Sequence, residues 1–293
     1  MTEWAKTYGP VYRIQLGKET MVVLSGYDVM HEAFLKRGED FSSRPFNPIV
    51  AIINPERLGI LGAPFGTPWK EHRKFTLMSL REFGFGKRSL EGKIMEESVA
   101  LQAEIVKMGN KPFDINRMVQ NAVTNVQEEI HSVLGHDKPP STAHRAQMPY
   151  TEAVLTEVAR IGTILPTSIF HATSRDTSLH GYDIPEGTTV MPNLWSVHHD
   201  PEHFPNPGKF DPGRFLDAQG QYQRDDHVMP FGIGPRMCLG KQLAEMELFV
   251  FFTSLLQHFT FKLPEGAAKP STTGINGITH SPKNFKLVAE PLA

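Results

Sequence analysis

Apolar and polar positions follow two rhythms along this chain. Near the start, "VYRIQLG" (Val11 to Gly17) and "TMVVLSG" (Thr20 to Gly26) are short apolar-rich runs separated by Lys18 and Glu19, a pattern that predicts a β-hairpin. From Asp28 onward the spacing becomes helical. "WKEHRKFTLMSLREFG" (Trp69 to Gly84) follows Thr67-Pro68, a favourable helix start, and stops at a glycine. A second helix is predicted from Glu91 to Asn110, with apolar positions at Ile94, Val99, Leu101, Ile105 and Val106. A third runs from Asp114 to Gly135, where Ile115, Met118, Val119, Ala122, Val123, Val126, Ile130, Val133 and Leu134 keep helical period without a break. "PYTEAVLTEVARIG" (Pro149 to Gly162) and "LGKQLAEMELFVFFTSLLQHF" (Leu239 to Phe259) predict two more. The last is apolar all round in its second half, which predicts burial. Between Leu165 and Phe231, Pro, Gly, Asn and Asp break the chain into irregular structure and small strands, and the tail returns to short strands.

Composition narrows this picture. In 293 residues, apolar types make up 40% and charged types 21%, which describes a globular chain with material for a core. A formal charge of −2 gives no footing for a nucleic-acid partner. One cysteine forms no internal disulfide. The polar start "MTEWAKTYGP" has no signal or anchor character.

That single cysteine, Cys238, lies in "FGIGPRMCLG". A lone cysteine is ordinarily a small buried hydrophobe. Here Gly232, Gly234 and Gly240 allow tight turns, Arg236 is two residues away, and a helix start follows. A cation and a helix N-terminus both favour thiolate over thiol. A structural zinc site needs several spaced Cys or His ligands, and an iron–sulfur cluster needs several thiolates. His198-His199, in a Pro/Asp-rich loop, reads as solvated surface. A single thiolate suffices for haem iron, because the porphyrin supplies four other bonds.

The order F-x-x-G-x-R-x-C-x-G, carried by Phe231, Gly234, Arg236, Cys238 and Gly240, resembles the haem-binding loop of the cytochromes P-450, the haem-thiolate monooxygenases. Glu157 and Arg160 are similar to the family's E-x-x-R pair. Glu157 shares a helical face with Tyr150, Val154 and Ile161, and a carboxylate on such a face needs a partner. The bland alternative is an exposed i,i+3 pair of little energetic weight. By resemblance, Arg214 of "FDPGRF" completes a structural lock with Glu157 and Arg160. Trp69 and Arg73, one helical turn apart, would hold the haem propionates together with Arg44, His171 and Arg236. "YGPVYRIQLG", "GEDFSSRP", "WKEHRKFTLMSLREFGFGKRS", "MPYTEAVLTEVAR", "LPTSIFHAT" and "PEHFPNPGKFDPGRFLD" extend the similarity to the microsomal drug- and fatty-acid-metabolising branch.

The resemblance implies a mainly α fold with small β-sheets (α+β): a truncated cytochrome P-450 fold with the proximal haem half retained. Residues 1–126 would carry the hairpin and propionate contacts, and 127–293 the E-x-x-R helix, meander and cysteine loop, joined in one domain. It implies haem b as cofactor, ligated axially by Cys238. NADPH would serve indirectly, through a flavin reductase on the proximal face. Thr167, Ser168, Ile169, Phe170, Ile275 and Ile278 would contact an apolar small-molecule substrate. The expected place is the cytosolic face of the endoplasmic reticulum membrane, or the cytoplasm with peripheral membrane contact, since the family's anchor is missing from this sequence.

Also missing, at a join placed between Val126 and Gln127, is the family's central block with its oxygen-activating distal helix and pocket roof. Three readings follow: a monooxygenase acting on xenobiotics, fatty acids or steroids; an inactive haem- or reductase-binding fragment; and a chain that does not fold stably.

Overall fold

The structure is a computed structural model that describes residues 1–85, 87, 90–108, 113–114, 120–271 and 273–292. It is mainly helical with small mixed sheets. Two compact units interleave along the sequence. One comprises Met1–Glu82, Thr163–Gly208 and Asp226–Leu239; the other comprises Phe83–Gly162, Lys209–Asp225 and Gly240–Ala293.

The first unit is organised by a four-stranded sheet in the order Val11–Leu16, Glu19–Ser25, Thr189–Asn193, His171–Ala172. The expected hairpin forms its first two strands, with Leu16 opposite Glu19. Gly17, at φ 62°, takes the first position of the two-residue turn, where positive φ matches the twist of the strands. Thr189–Asn193 then adds in parallel, Met21 facing Thr189, and His171–Ala172 adds antiparallel. Val11, Leu24, Val29, Met30, Phe34, Phe41, Val190 and Leu194 belong to one buried cluster against this sheet. The helix Thr67–Glu82 starts with the expected Thr-Pro pair and gives way to Gly84 at φ 92°, a left-handed residue that ends helical propagation. Of its side chains only Trp69 is buried, while Phe75 and Met78 are exposed.

The second unit packs the helices Glu91–Met108, Gln120–Leu134, Pro149–Gly162 and Lys241–His258 around Ile94, Val126, Ile130, Met148, Val154, Phe249 and Val250. Phe113–Asp114, Lys286–Pro291 and Phe259–Lys262 form a three-stranded sheet. The helix predicted over 114–135 departs from its pattern at the start. Phe113–Asp114 is strand, residues 115–119 lie outside the described ones, and helix runs from Gln120. The sequence position 126–127 falls inside that helix, with Val126 fully buried.

Lys241–His258 meets the expectation of a buried second half: Phe249, Val250, Thr253, Ser254, Leu256 and Gln257 are buried, and the exposed Leu248 lies in its first half. Among the described residues no helix is long and apolar enough to cross a membrane.

Candidate functional site

In the first unit the cysteine loop is shaped by main-chain turns. Gly232 N–H donates to Met229 O, Met237 N–H to Gly234 O, and Cys238 N–H to Phe231 O, at 3.0, 3.0 and 2.9 Å. Gly232 and Gly234 sit at φ 73° and 76°, the left-handed region that glycine enters without steric cost. Cys238 is exposed and carries the chain's one thiol. Gly240 caps the N-terminus of Lys241–His258 and belongs to the second unit.

Around this loop the first unit gathers three guanidinium groups. Arg236 donates from Nε to Ser42 O, from Nη1 to Ile60 O and from Nη2 to Ala63 O, at 2.7, 2.9 and 2.6 Å. Arg44 donates to the carbonyls of Leu61, Ile169 and Phe170. Arg73 donates to Met237 O at 2.7 Å, next to the cysteine. The Trp69 ring lies under two of them, 4.0 Å from Arg236 Cζ and 5.6 Å from Arg73 Cζ, and its indole N–H donates to Ile60 O. No carboxylate pairs with any of the three among the described residues. Burial, then the charges of Arg44 and Arg73, push the Arg236 guanidinium down to about 9. Burial brings Arg44 down to about 10. Burial also lowers Arg73, against the opposing pull of Cys238. All three remain charged at neutral pH.

Guanidinium carries five N–H donors. Three of them are engaged on Arg236, three on Arg44 and one on Arg73. The planar groups are therefore anchored through main-chain carbonyls, with two N–H groups left on each of the first two and four on Arg73.

His171, named beside these arginines as a propionate contact, is held as a neutral imidazole. It is buried, its Nδ1–H donates to Phe41 O at 2.7 Å, and burial followed by the Arg44 charge drives its pKa down to about 3. A neutral imidazole that donates through Nδ1 presents a lone pair at Nε2 and cannot donate to a carboxylate there.

The reading of His198-His199 as solvated surface is also corrected. His198 is fully buried: Met229 N–H donates to its Nε2 at 3.0 Å, so its Nδ1–H faces Thr163 Oγ1. His199 stacks on Trp195, ring centroids 3.6 Å apart. A short helix, Leu194–His198, replaces the loop that the prolines and aspartates suggested, and it turns the first histidine inward.

In the second unit Glu157 and Arg160 are both fully buried on Pro149–Gly162. Arg160 donates from Nε and Nη2 to the two carboxylate oxygens at 2.6 and 2.8 Å. Asp211 N–H donates to Glu157 Oε1 at 2.9 Å, and Arg214 Nε lies 3.6 Å from the same oxygen. Val154 is buried beside them, whereas Tyr150 and Ile161 are half-buried.

The residues named for substrate contact divide. Thr167, Ser168, Ile169 and Phe170 belong to the first unit, where the Ile169 and Phe170 carbonyls receive Arg44 and the Phe170 ring packs near Tyr12, Val23 and Met191. Ile275 and Ile278 belong to the second unit, 55% and 87% exposed. Sequence reasoning missed the carbonyls of Ser42, Ile60 and Ala63, because an acceptor on the main chain leaves no residue-type signature.

The Cytochrome P450 family matches this chain over residues 1–126 and again over residues 124–289. The chain belongs to the cytochrome P450 family. Among curated relatives of this P450, cytochrome P450 2U1 from Rattus norvegicus is 31% identical over 430 aligned positions, which cover 97% of this chain and 81% of the relative. Cytochrome P450 2U1 from Homo sapiens is 30% identical over 97% of this chain and 79% of its own length. Cytochrome P450 2C11 from Rattus norvegicus is 28% identical over 99% of this chain and 87% of its own.

Haem is the cofactor this P450 family implies, and the residues present suit it. A porphyrin with two carboxylates and an iron open to an axial ligand needs cations without acids of their own and one thiol. The first unit supplies the cations Arg44, Arg73 and Arg236 and the Cys238 thiol, while the Trp69 ring is buried under Arg236 and steadies that guanidinium.

Proposed function

We propose that this chain is a haem-binding P450 that does not complete monooxygenation: it would hold haem through Cys238, engage a flavin reductase and release no oxidised product. The observation that carries the haem half of this reading is the trio Arg44, Arg73 and Arg236, gathered beside Cys238 with no carboxylate of the chain among the described residues. Each guanidinium is pinned by carbonyls, so its remaining donors are oriented before any ligand arrives, which lowers the ordering cost of binding. Arg73 would take a carboxylate while holding Met237 O, tying the cation site to the residue before Cys238. His171 stays neutral and fixes the Phe41 carbonyl.

Haem bound in this way would supply the redox-active iron that, in a complete monooxygenase, inserts one oxygen of O₂ into an apolar molecule. The inactive half of the proposal is supported by the two family matches, which meet at residues 124–126, and by an alignment of 430 positions against a chain of 293. A contiguous stretch of the family without counterpart here accounts for both. By resemblance, that stretch carries the distal acid and alcohol that deliver protons and the roof that keeps water out. Without a roof, water weakens the electrostatics on which oxygen activation depends.

For the reductase, the helix Thr67–Glu82 offers Lys74 and Arg81, with Lys70 paired to Glu39, around a cavity of about 470 Å³ that Trp69, Arg73 and Pro235 also line. Such a rim suits an acidic partner surface.

The test is a carbon-monoxide difference spectrum of the dithionite-reduced, haem-reconstituted chain beside Cys238→Ala, followed by NADPH-dependent turnover with a flavin reductase and fatty-acid or drug substrates. A red-shifted Soret band that disappears in Cys238→Ala, with no product, is expected. Product formation would overturn the inactive half; absence of the band would overturn the haem half.

A further inference from the structure

We propose that Gly38 is a positioning residue for Cys238, acting through Pro235. The bed of the cysteine loop includes a π-helical turn, Glu32–Lys36, closed by a bond from Arg37 N–H to Glu32 O at 2.9 Å. Single π turns are uncommon and tend to mark functional positions. Within this turn Phe34 is buried, its ring 4.5 Å from the His171 ring and edge-on to Phe41 at 6.5 Å. The side chain is thereby held, and the main chain of Phe34 with it.

The Phe34 carbonyl is wedged between two glycines far apart in sequence. A Cβ at Gly234 would lie 1.9 Å from Phe34 O, and a Cβ at Gly38 would lie 2.7 Å from the same atom. The Gly38 position would also meet Pro235 Cδ at 2.8 Å and Cγ at 3.1 Å. Pro235 thus rests on the bare α-carbon of Gly38. Its ring fixes φ, so a push at the ring moves the backbone instead of being absorbed by a rotamer. Arg236 follows immediately, committed to three carbonyls, and Cys238 lies three residues beyond Pro235. Gly234 is required twice over, by its positive φ and by its contact. Gly38 lacks a positive φ, so alanine there is opposed by contact alone, and that makes the contact testable.

Cys238 is exposed and is the chain's one cysteine, so its alkylation rate by iodoacetamide on the chain without added haem reports the loop directly. The variants are Gly38→Ala, Pro235→Ala, the double variant, and Gly62→Ala as a control in the same unit with nothing within 4 Å of its added Cβ. Thermal melts confirm that each is folded. Gly38→Ala is expected to change the rate about threefold or more, Gly62→Ala to leave it unchanged, and Pro235→Ala to raise it. In the double variant the rate should match Pro235→Ala, because of the two contacts an added Cβ would make, the one with Pro235 and not the one with the Phe34 carbonyl is proposed to reach the loop.

Equal effects of Gly38→Ala with and without the proline ring would overturn the proposal, since they would locate the damage at the Phe34 carbonyl. Should Gly38→Ala fail to fold, Pro235→Ala decides: an unchanged alkylation rate there overturns the proposal.

Discussion

Two clusters of arginine are built on opposite principles, and the first unit also holds Arg37 and Arg175 paired with Asp40, a cluster of the acid-centred kind. Arg160 and Arg214 of the second unit surround Glu157, a fully buried carboxylate that also accepts the Asp211 amide. Arg44, Arg73 and Arg236 of the first unit pair with no acid among the described residues and donate to carbonyls. The first kind holds a counter-charge supplied by the chain itself, and its contribution ends with the fold. The second leaves positive charge in a partly buried place, where like charges depress each other, and such a site gains when an anion arrives. The comparison teaches that a family motif rich in arginine can be sorted into lock and ligand site by asking whether the carboxylate comes from the chain itself.

The sharpest way to break this contrast is to remove the carboxylate of the lock. Glu157→Ala should cost about 3–5 kcal/mol in chemical denaturation, because the buried Arg160 guanidinium loses its counter-charge. Glu157→Gln should cost less than Glu157→Ala, since the amide oxygen still accepts. A loss below about 1 kcal/mol for Glu157→Ala would place the pair with ordinary surface ion pairs and dissolve the distinction.

Next in size is the pH dependence that His171 imposes on the first unit. Its pKa falls from the ordinary 6.5 to about 3 in the fold. Between those values the unfolded chain binds a proton that the folded chain does not, so stability rises with pH there. The contribution is complete above pH 6.5 and is lost as pH falls toward 3. His171→Gln keeps a donor near Phe41 O without the titration, so its denaturation midpoint should fall less steeply from neutral toward mild acid than that of the parent chain. Identical slopes would mean that the histidine is not held neutral.

A smaller effect is expected for Arg236→Gln. Three carbonyl bonds from a charged donor are lost or weakened, each worth about 1.5–3 kcal/mol, while repulsion from Arg44 and Arg73 is relieved, so the net cost should stay below that of Glu157→Ala. Haem uptake, followed by titration at the Soret band, should weaken about tenfold or more, the scale of one lost charged contact. A large stability loss with unaltered uptake would make this cluster a lock like the other.

How much of this was legible in the sequence depends on where the information sits. The Val11–Ser25 hairpin and the long helices follow from period and punctuation, and the structure shows them within a few residues except for the helix expected from Asp114, which runs from Gln120. Glu157 and Arg160 were visible because a charged pair at i,i+3 on an apolar face is anomalous. The loop from Phe231 to Cys238 was visible because glycine, arginine and a lone cysteine rarely coincide. The inward turn of His198 was not, because proline-bracketed polar residues look solvated until tertiary contacts claim them. Nor was the neutrality of His171, which depends on burial and on Arg44, a residue 127 positions away in "FSSRP". Gly38 escaped for a different reason: its role is the absence of a side chain against Pro235, and an absence has no pattern.

The smallest predicted effect is also the most local. Raising the salt concentration screens exposed and half-buried charges and hardly touches fully buried pairs. Arg73 and Arg236 are half-buried, whereas Glu157 and Arg160 are fully buried. High sodium chloride should therefore ease repulsion in the first unit and slow hydrogen exchange at the Met237 and Cys238 amides, which bond to Gly234 O and Phe231 O. The Asp211 amide, bonded to Glu157, should exchange at the same rate in low and high salt. Expected changes are small, on the order of a few tenths of a kcal/mol in protection, as for other screened surface charges. Slower exchange at all three amides would indicate a general stabilisation by salt. Slower exchange confined to the cysteine loop would tie the effect to the arginines that lack an acid.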